Sequence, residues 1–211
     1  MEWKHIILYC LLLVSCTKKA NTNLKIFSDQ FINQWETTTT DSIISIINHN
    51  KDAKANLTEL KSLYFYYNRP YNHSARFVFI DQIRNDTAVT NLKFKEFAII
   101  EEKHESRMIY RLVLFGNSNS ICFLYKNRPG ERAFMFLKKH EINSYELKLF
   151  LKKAKNHKSI ASDGINGEYF NGDVVISIFS NGKIEVYPFL TNNLTNSLYR
   201  EYIKIMNKNG K

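Results

Sequence analysis

The sequence predicts an α+β fold in which helices flank an antiparallel sheet. Three observations support this class. Apolar residues recur at helical spacing in the first third of the chain, short β-rich runs separated by polar turns follow, and the last third contains a basic amphipathic helix, a β-hairpin and a C-terminal helix. Neither a repeat nor a Gly-rich or Pro-rich linker divides the chain, so we expect a single α+β domain over residues 25–211.

The first helix is predicted from a capping residue and apolar spacing. Ser28 can cap a helix that carries Phe31, Ile32 and Trp35 on one side. The threonine run at 37–40 should interrupt this helix.

Two further N-terminal segments are predicted. Asp41 or Ser42 can cap a second segment, whose four isoleucines between 43 and 47 would also suit a strand. A third segment begins at Asp52, has apolar residues at roughly helical spacing, and ends before Pro70.

The centre of the chain predicts a β-meander. From Ser74 onward, β-rich runs occur at 76–80, 92–99, 109–115 and 121–125, with a further run at 133–137. Polar turn clusters lie between these runs at 84–86, 103–106 and 116–119. Because sequential strands with such short connections usually pair antiparallel, we expect a central antiparallel meander.

A basic amphipathic helix should follow, capped by Asn143 or Ser144. Its apolar positions are Leu147, Phe150, Leu151 and Ala154. Its opposite face carries Lys148, Lys152 and Lys155, and this basic face is a candidate for contact with anionic head groups. The candidate contact surface also includes Lys153 and Lys158, and it lies near Lys138 and Lys139. A solvated helix face is the alternative.

A β-hairpin and a C-terminal helix complete the predicted fold. Asn181-Gly182 lies between β-rich runs at 174–179 and 184–187, and this pair favours a type I′ turn because both central residues need positive φ. The C-terminal helix has Thr195 as its cap, with apolar residues at Leu194, Leu198, Tyr202 and Ile205.

The amino terminus has the layout of an export signal. Lys4 and His5 precede an apolar run at 6–14, which is shorter than the roughly 20 residues that a membrane-spanning helix needs. The next residues complete the sequence Leu13-Val14-Ser15-Cys16, which resembles the bacterial lipobox. The alternative is an ordinary signal peptide with an incidental cysteine.

The lipobox resemblance implies a lipid anchor. It predicts a signal peptide at 1–15, a diacylglyceryl group on the Cys16 thiol and a polar tether at 16–24. Thr17 directly follows the cysteine, and a residue other than Asp at this position resembles the lipoproteins that are sorted to the outer membrane. We therefore expect a lipid-anchored protein of the bacterial cell envelope, on the outer membrane and facing the periplasm.

Cysteine content predicts a mature domain without an intramolecular disulfide. Of the three cysteines, Cys10 lies in the signal and Cys16 carries the lipid, which leaves Cys122 alone. Cys122 sits in an apolar run and is interpreted as a small buried hydrophobe rather than a nucleophile.

Charge indicates acidic partners. Thirty Lys and Arg residues against twenty Asp and Glu give a net charge of +10. Outside the cytoplasm such a charge favours phospholipid head groups, an anionic glycan or an acidic protein, and no nucleic acid is expected. Simple solubility is the alternative explanation.

No motif with a catalytic or metal-binding mechanism occurs in the sequence, so no catalytic residue, metal or cofactor is predicted. The cluster at 101–105, with three glutamates around Lys103 and His104, could supply acid–base groups but is interpreted as a charged hairpin tip. Asp163, Glu168 and Asp173 are interpreted as a polar loop.

An interleaved aromatic and basic segment is the candidate binding patch. Its residues are Tyr64, Tyr66, Tyr67, Arg69 and Tyr71. The alternative is that Tyr64 and Tyr67 are core residues of a helix. The sequence thus favours a non-enzymatic binding or structural role, with a tethered hydrolase or an inhibitor of an acidic partner as alternatives.

Overall fold

A six-stranded antiparallel sheet forms the centre of the protein, in the strand order β4-β3-β2-β1-β5-β6. The computed structural model describes residues 27–49, 70–104, 107–127, 133–156, 173–190 and 197–207. The strands are β1 (Glu96–His104), β2 (Arg107–Leu114), β3 (Asn119–Asn127), β4 (Phe134–Asn143), β5 (Asp173–Ser180) and β6 (Lys183–Leu190).

Helices cover both faces of this sheet. They are α1 (Asp29–His49), α2 (Pro70–Asn85), α3 (Thr87–Thr90), α4 (Ser144–Asn156) and α5 (Ser197–Asn207). Residues of α1, α2 and α3 share one buried cluster with the sheet, and residues of α4 and α5 share the other. Within the described ranges, no helix is both long enough and apolar enough to cross a membrane.

The alternation of side chains along β1 explains its continuous apolar run. Phe97 and Ile99 belong to the core under α1 and α2, whereas Ala98 and Ile100 belong to the core under α4 and α5. Successive side chains of a strand point to opposite faces, so a strand that is covered on both sides needs apolar residues at every position.

The core under α1 and α2 is built mainly from aromatic rings. The rings of Phe97 and Phe179 stack with centroids 4.5 Å apart, and Phe79 stacks on Tyr110 at 4.4 Å. Trp35 is fully buried, and its indole N–H donates to Ser177 Oγ at 2.8 Å. This bond ties α1 to β5.

The predicted α+β class, with N-terminal helices, a meander, a basic helix, a hairpin and a C-terminal helix, is confirmed. Asn143 caps α4, since its side-chain oxygen accepts from the N–H groups of Tyr145 and Glu146 at 3.0 Å. Asn181 and Gly182 have φ of 51° and 72°, as the predicted hairpin turn requires.

The predicted interruption at the threonine run is wrong, because α1 continues through residues 37–40. Thr39 is buried, and its hydroxyl donates to the Trp35 carbonyl at 2.8 Å. Ser42 donates to the Thr38 carbonyl at 2.7 Å. Such bonds to the carbonyl four residues earlier fit inside a helix, so these hydroxyls do not end it.

The predicted strand at 76–80 is also wrong, because these residues lie inside α2. The buried residues of this helix are Ala75, Arg76, Phe79, Ile80 and Ile83. This spacing repeats every three to four residues and therefore marks one face of a helix. The short β-rich run hid that period, and Pro70 is the first helical residue, where its missing N–H costs nothing.

Candidate functional site

Glu101 and Glu102 are buried inside β1, at 0% and 2% exposure, so their interpretation as part of a charged hairpin tip is wrong. As successive residues of a strand they point to opposite faces of the sheet. Each finds a buried arginine partner on its own face. A buried charge is tolerated only when it is paired in this way.

The first pair joins Arg76 to Glu101. Arg76 Nε donates to Glu101 Oε1 and Nη2 donates to Oε2, both at 2.8 Å. The guanidinium also lies 4.7 Å from the Trp35 ring centroid, and its Nη1 is 3.8 Å from Glu36 Oε1. This bidentate ion pair connects α2 to β1 beneath α1.

The second pair lies on the opposite face, under α5. Arg111 Nε and the Tyr202 hydroxyl both donate to Glu102 Oε1. Burial lowers the pKa of Arg111, but Tyr202 and Glu102 more than offset this effect and raise it overall. Burial, together with Glu102, raises the pKa of Tyr202 well above its ordinary value. The guanidinium therefore stays charged and the phenol stays neutral.

Cys122 lies close to this second pair and is fully buried. Burial raises the pKa of its thiol to about 12. A thiol with such a pKa holds its proton at neutral pH and is a poor nucleophile. Its interpretation as a small buried hydrophobe agrees with this environment.

Among the described residues, no carboxylate bonds to His140 to orient it for acid–base chemistry. Its Nε2 lies 2.9 Å from the Met206 carbonyl oxygen of α5, and within the described ranges its buried Nδ1 has no partner. Burial lowers its pKa. Among the described residues, no group of three or more His, Cys, Asp or Glu side chains could hold a metal ion. The buried polar groups thus serve to join layers of the fold.

The candidate functional site lies instead at one end of the sheet, which we call the Glu96 end. Here β1 begins at Glu96, β2 ends and β3 begins around Gly116, and β5 turns into β6 at Gly182. Helix α4 also begins here, because Ser144 N–H donates to the Ser118 carbonyl at 3.0 Å. Two adjoining cavities open at this end.

The first cavity, which we call the phenylalanine groove, has a volume of about 440 Å³. Its wall is mainly apolar, contains four phenylalanines and includes two exposed lysines. The residues that form it include Phe31, Phe94, Phe97, Phe179, Ile184, Lys95 and Lys183. A mostly apolar wall with a few charged groups is the usual composition of a ligand-binding cleft.

The second cavity, which we call the lysine cavity, has a volume of about 510 Å³. It shares Phe94 and Lys95 with the phenylalanine groove, so the two form one continuous surface. Lys93 and Lys148 also line it, and both are exposed. Glu96 is the one carboxylate among the residues that line the two cavities.

Local backbone requirements set the shape of this end. A Cβ at Gly116 would lie 2.1 Å from the Asn119 carbonyl oxygen, so the turn between β2 and β3 needs glycine. Asp86 caps α3 by accepting from the Ala88 N–H at 2.9 Å and also accepts from the Tyr125 hydroxyl at 2.9 Å. These bonds fix the start of the segment that carries Lys93 and Lys95.

The binding patch predicted at Tyr64, Tyr66, Tyr67 and Arg69 lies outside the described residues. The same is true of Cys16, the predicted lipid attachment site, of Asp163 and Glu168, and of the segment that begins at Asp52. Tyr71 falls in the first turn of α2 and Asp173 is the first residue of β5, but their side chains are not described. The same is true of Lys103 and His104 in β1. Thr195 and Leu194, predicted to begin the last helix, also fall outside.

The predicted basic face of α4 is exposed at Lys148 and Lys152. Part of it is neutralised, because Lys153 pairs with Glu201 at 2.7 Å and Lys155 pairs with Glu185 at 3.1 Å. Lys148 is the member that reaches the lysine cavity.

Sequence reasoning missed Lys93, Lys95 and Lys183 as site residues. The available signal was basic residues beside phenylalanine at the ends of β-rich runs, as in Lys93-Phe94-Lys95. Only the strand order brings the separate segments together at one end.

Comparison with known proteins assigns no relatives: no family model, no curated protein and no solved structure matches this chain.

Proposed function

We propose that this protein is a lipid-anchored envelope protein that binds an anionic, partly apolar partner at the Glu96 end of its sheet. The observation that carries the binding role is the juxtaposition of an aromatic groove with four exposed lysines: Lys93, Lys95, Lys148 and Lys183. The anchor is inferred from the lipobox-like sequence that ends at Cys16.

A binding role is favoured over catalysis by the state of the buried polar groups. Glu101 and Glu102 are engaged with arginines, and the Cys122 thiol is protonated at neutral pH. An acid–base or nucleophilic catalyst must reach its substrate, and all three of these side chains are buried.

Two properties of the Glu96 end favour an anionic partner. Among the residues lining its cavities, lysines outnumber carboxylates by four to one. Phe31, Phe94 and Phe179 meanwhile offer apolar contact area beside these charges. A ligand with both an anionic and an apolar part would use both properties.

Metabolic labelling with a clickable fatty acid tests the anchor. We expect wild-type protein to be labelled and Cys16→Ala to lose the label, because only that thiol would carry diacylglyceryl. Cys122→Ala is the matched control and should keep the label, since Cys122 is buried. Equal labelling of wild type and Cys16→Ala would refute the anchor.

Photo-crosslinking in intact cells tests the binding site. A photoreactive amino acid at position 95 should yield an adduct whose mass identifies the partner class. The control position is Lys126, which pairs with Ile109 of β2; Ile109 in turn pairs with Glu102 of β1. Because Glu102 lies about 20 Å along β1 from Glu96, Lys126 is far from the Glu96 end. The same adducts from both positions, or none from position 95, would contradict the assignment.

A further inference from the structure

We propose that the Glu96 end lies on the membrane that holds the anchor, with its lysines on the head groups of anionic phospholipids and the phenylalanine groove facing the start of the acyl chains. This inference deepens the proposed function and rests on its lipid anchor. It names the partner as phospholipid and fixes the orientation of the folded body.

The first observation is where the tether joins the body. The Phe27 ring packs against Phe94 and Phe97, with centroids 6.1 and 5.3 Å away. Arg84 Nε also donates to the Phe27 carbonyl, and its Nη2 pairs with Asp29 at 2.6 Å. These contacts fix Phe27, the first residue that the structure describes, at the Glu96 end.

The length of the tether keeps this point near the lipid. Residue 27 follows Cys16 by eleven positions. Whatever its conformation, a chain of that length can reach at most about 40 Å. An anchor at Cys16 would therefore keep Phe27, and with it the Glu96 end, within about 40 Å of the lipid.

The second observation is the charge at this end. Lys93, Lys95, Lys148 and Lys183 are all exposed, and within the described ranges none of them forms an ion pair. On the rest of α4, by contrast, Lys153 is neutralised by Glu201. Each lysine close to an anionic bilayer strengthens association by roughly fivefold.

The third observation is the apolar surface between these lysines. Proteins that rest in a membrane interface combine basic residues at the head groups with large apolar residues just below them. Phe31 and Phe94 are half-buried in the groove between Lys95 and Lys183. A purely ionic partner such as a polyanionic glycan would leave this apolar surface unused.

Site-specific fluorescence on the lipidated protein tests the orientation. An environment-sensitive dye is attached to Asn117→Cys, an exposed position in the lysine cavity. The control dye is attached to Asp41→Cys, an exposed position about 18 Å along α1 from its first residue. Cys122 needs no replacement, because its buried thiol, with a pKa of about 12, does not react at neutral pH.

Each labelled protein is reconstituted into phosphatidylcholine vesicles with or without phosphatidylglycerol, containing lipids with a nitroxide quencher at the head group. We expect quenching at position 117 but not at position 41, only with phosphatidylglycerol. Salt of about 1 M should abolish it, because the Debye length falls to roughly 3 Å. Equal quenching at both positions, or none at 117, would overturn the proposal.

Charge variants identify the surface responsible. Replacing the four lysines of the Glu96 end by Gln should lower the ratio of docked to undocked protein by roughly fivefold for each lysine replaced. The matched control removes four lysines elsewhere and should leave quenching unchanged; these are Lys138, Lys139, Lys152 and Lys204. An equal loss of quenching in both variants would mean that the net charge of the protein, and not this surface, keeps the folded domain on the membrane.

Vesicle flotation separates failure of this inference from failure of the proposed function. If the protein does not float with vesicles in high salt, the lipid anchor itself is wrong. If it floats but position 117 is never quenched, the anchor stands and the membrane-facing orientation is wrong. An acidic protein as the partner would give that second result together with a protein adduct from position 95.

Discussion

Glu101 and Glu102 show how strongly the surroundings of a residue decide its role. Both belong to a charged run that is typical of a turn, yet both are buried. Each is neutralised on its own face of the sheet, by Arg76 and Arg111 respectively. The two pairs also join different helices to the sheet, since Arg76 lies on α2 and the hydroxyl of Tyr202 comes from α5.

A double-mutant cycle on Arg76 and Glu101 measures how much this buried ion pair contributes to stability. Arg76→Met should lower the free energy of unfolding by about 3–5 kcal/mol, because it leaves a carboxylate buried without its partner. Glu101→Met should cost less, since Arg76 keeps Glu36 and Trp35 nearby. The double variant should be more stable than Arg76→Met alone. Urea denaturation measures all four proteins.

The exposed pair of Lys155 and Glu185 is the control for this cycle. Its coupling should be below about 1 kcal/mol, because solvent screens exposed charges. If the two cycles gave the same coupling energy, the buried pair would have no special structural role.

The Cys122 thiol should make the free energy of unfolding depend on pH in the alkaline range. Its pKa is raised from 9.0 to about 12 in the folded protein, so between these values the folded state keeps a proton that the unfolded state loses. The contribution is complete below pH 9 and is lost as the pH rises toward 12. The free energy of unfolding should therefore fall in this window by about 1.4 kcal/mol per pH unit.

Cys122→Ala isolates this contribution, because Tyr125 and Tyr202, whose pKa values are also raised, remain in both proteins. We expect the stability of wild type to fall more steeply than that of Cys122→Ala above pH 9. Parallel curves in urea denaturation across pH 8 to pH 11 would contradict a buried thiol.

At the scale of elements, α1 and α2 show that tertiary contacts select between local options. The threonine run in α1 has poor helix propensity, but Trp35, Thr39 and their contacts with the sheet keep the helix continuous. In α2, the run at 76–80 has high β propensity. The helix forms instead because it buries Ala75, Phe79 and Ile83 on one face.

Thr37→Ala tests the continuity of α1. Thr37 is exposed within the helix, so alanine should raise the free energy of unfolding by about 0.5 kcal/mol through helix propensity. Thr39→Ala is the control and should destabilise the protein, since Thr39 is buried and donates to Trp35. Thermal unfolding measures both, and no gain from Thr37→Ala would indicate a broken helix.

At the scale of the whole molecule, the sheet with two covered faces leaves its ends for interaction. Both faces are used for the cores under α1 and α4. The Glu96 end collects side chains from segments far apart in the chain, around residues 31, 95, 116, 148 and 183. The orientation that we propose is a property of this arrangement, since the four lysines and the phenylalanines of this end come from several separate segments.

Local sequence patterns are sufficient to predict the class of the fold and several local structures. The Asn181-Gly182 turn, the apolar strands and a helix capped by Asn143 or Ser144 follow from short-range rules of hydrogen bonding, φ and alternation. The structure selects Asn143 as the cap. These rules act over a few neighbouring residues, so the sequence alone is sufficient. The lipobox at Cys16 is likewise a local pattern, and it stays a prediction.

The roles of the charged residues, by contrast, depend on contacts between distant parts of the chain. The burial of Glu101 depends on Arg76, which is 25 positions away, and the burial of Glu102 depends on Tyr202, which is 100 positions away. The Glu96 end likewise requires the strand order that places β5 beside β1. The cost of a buried charge, and the use of an exposed one, depend on partners that are distant in sequence and near in space.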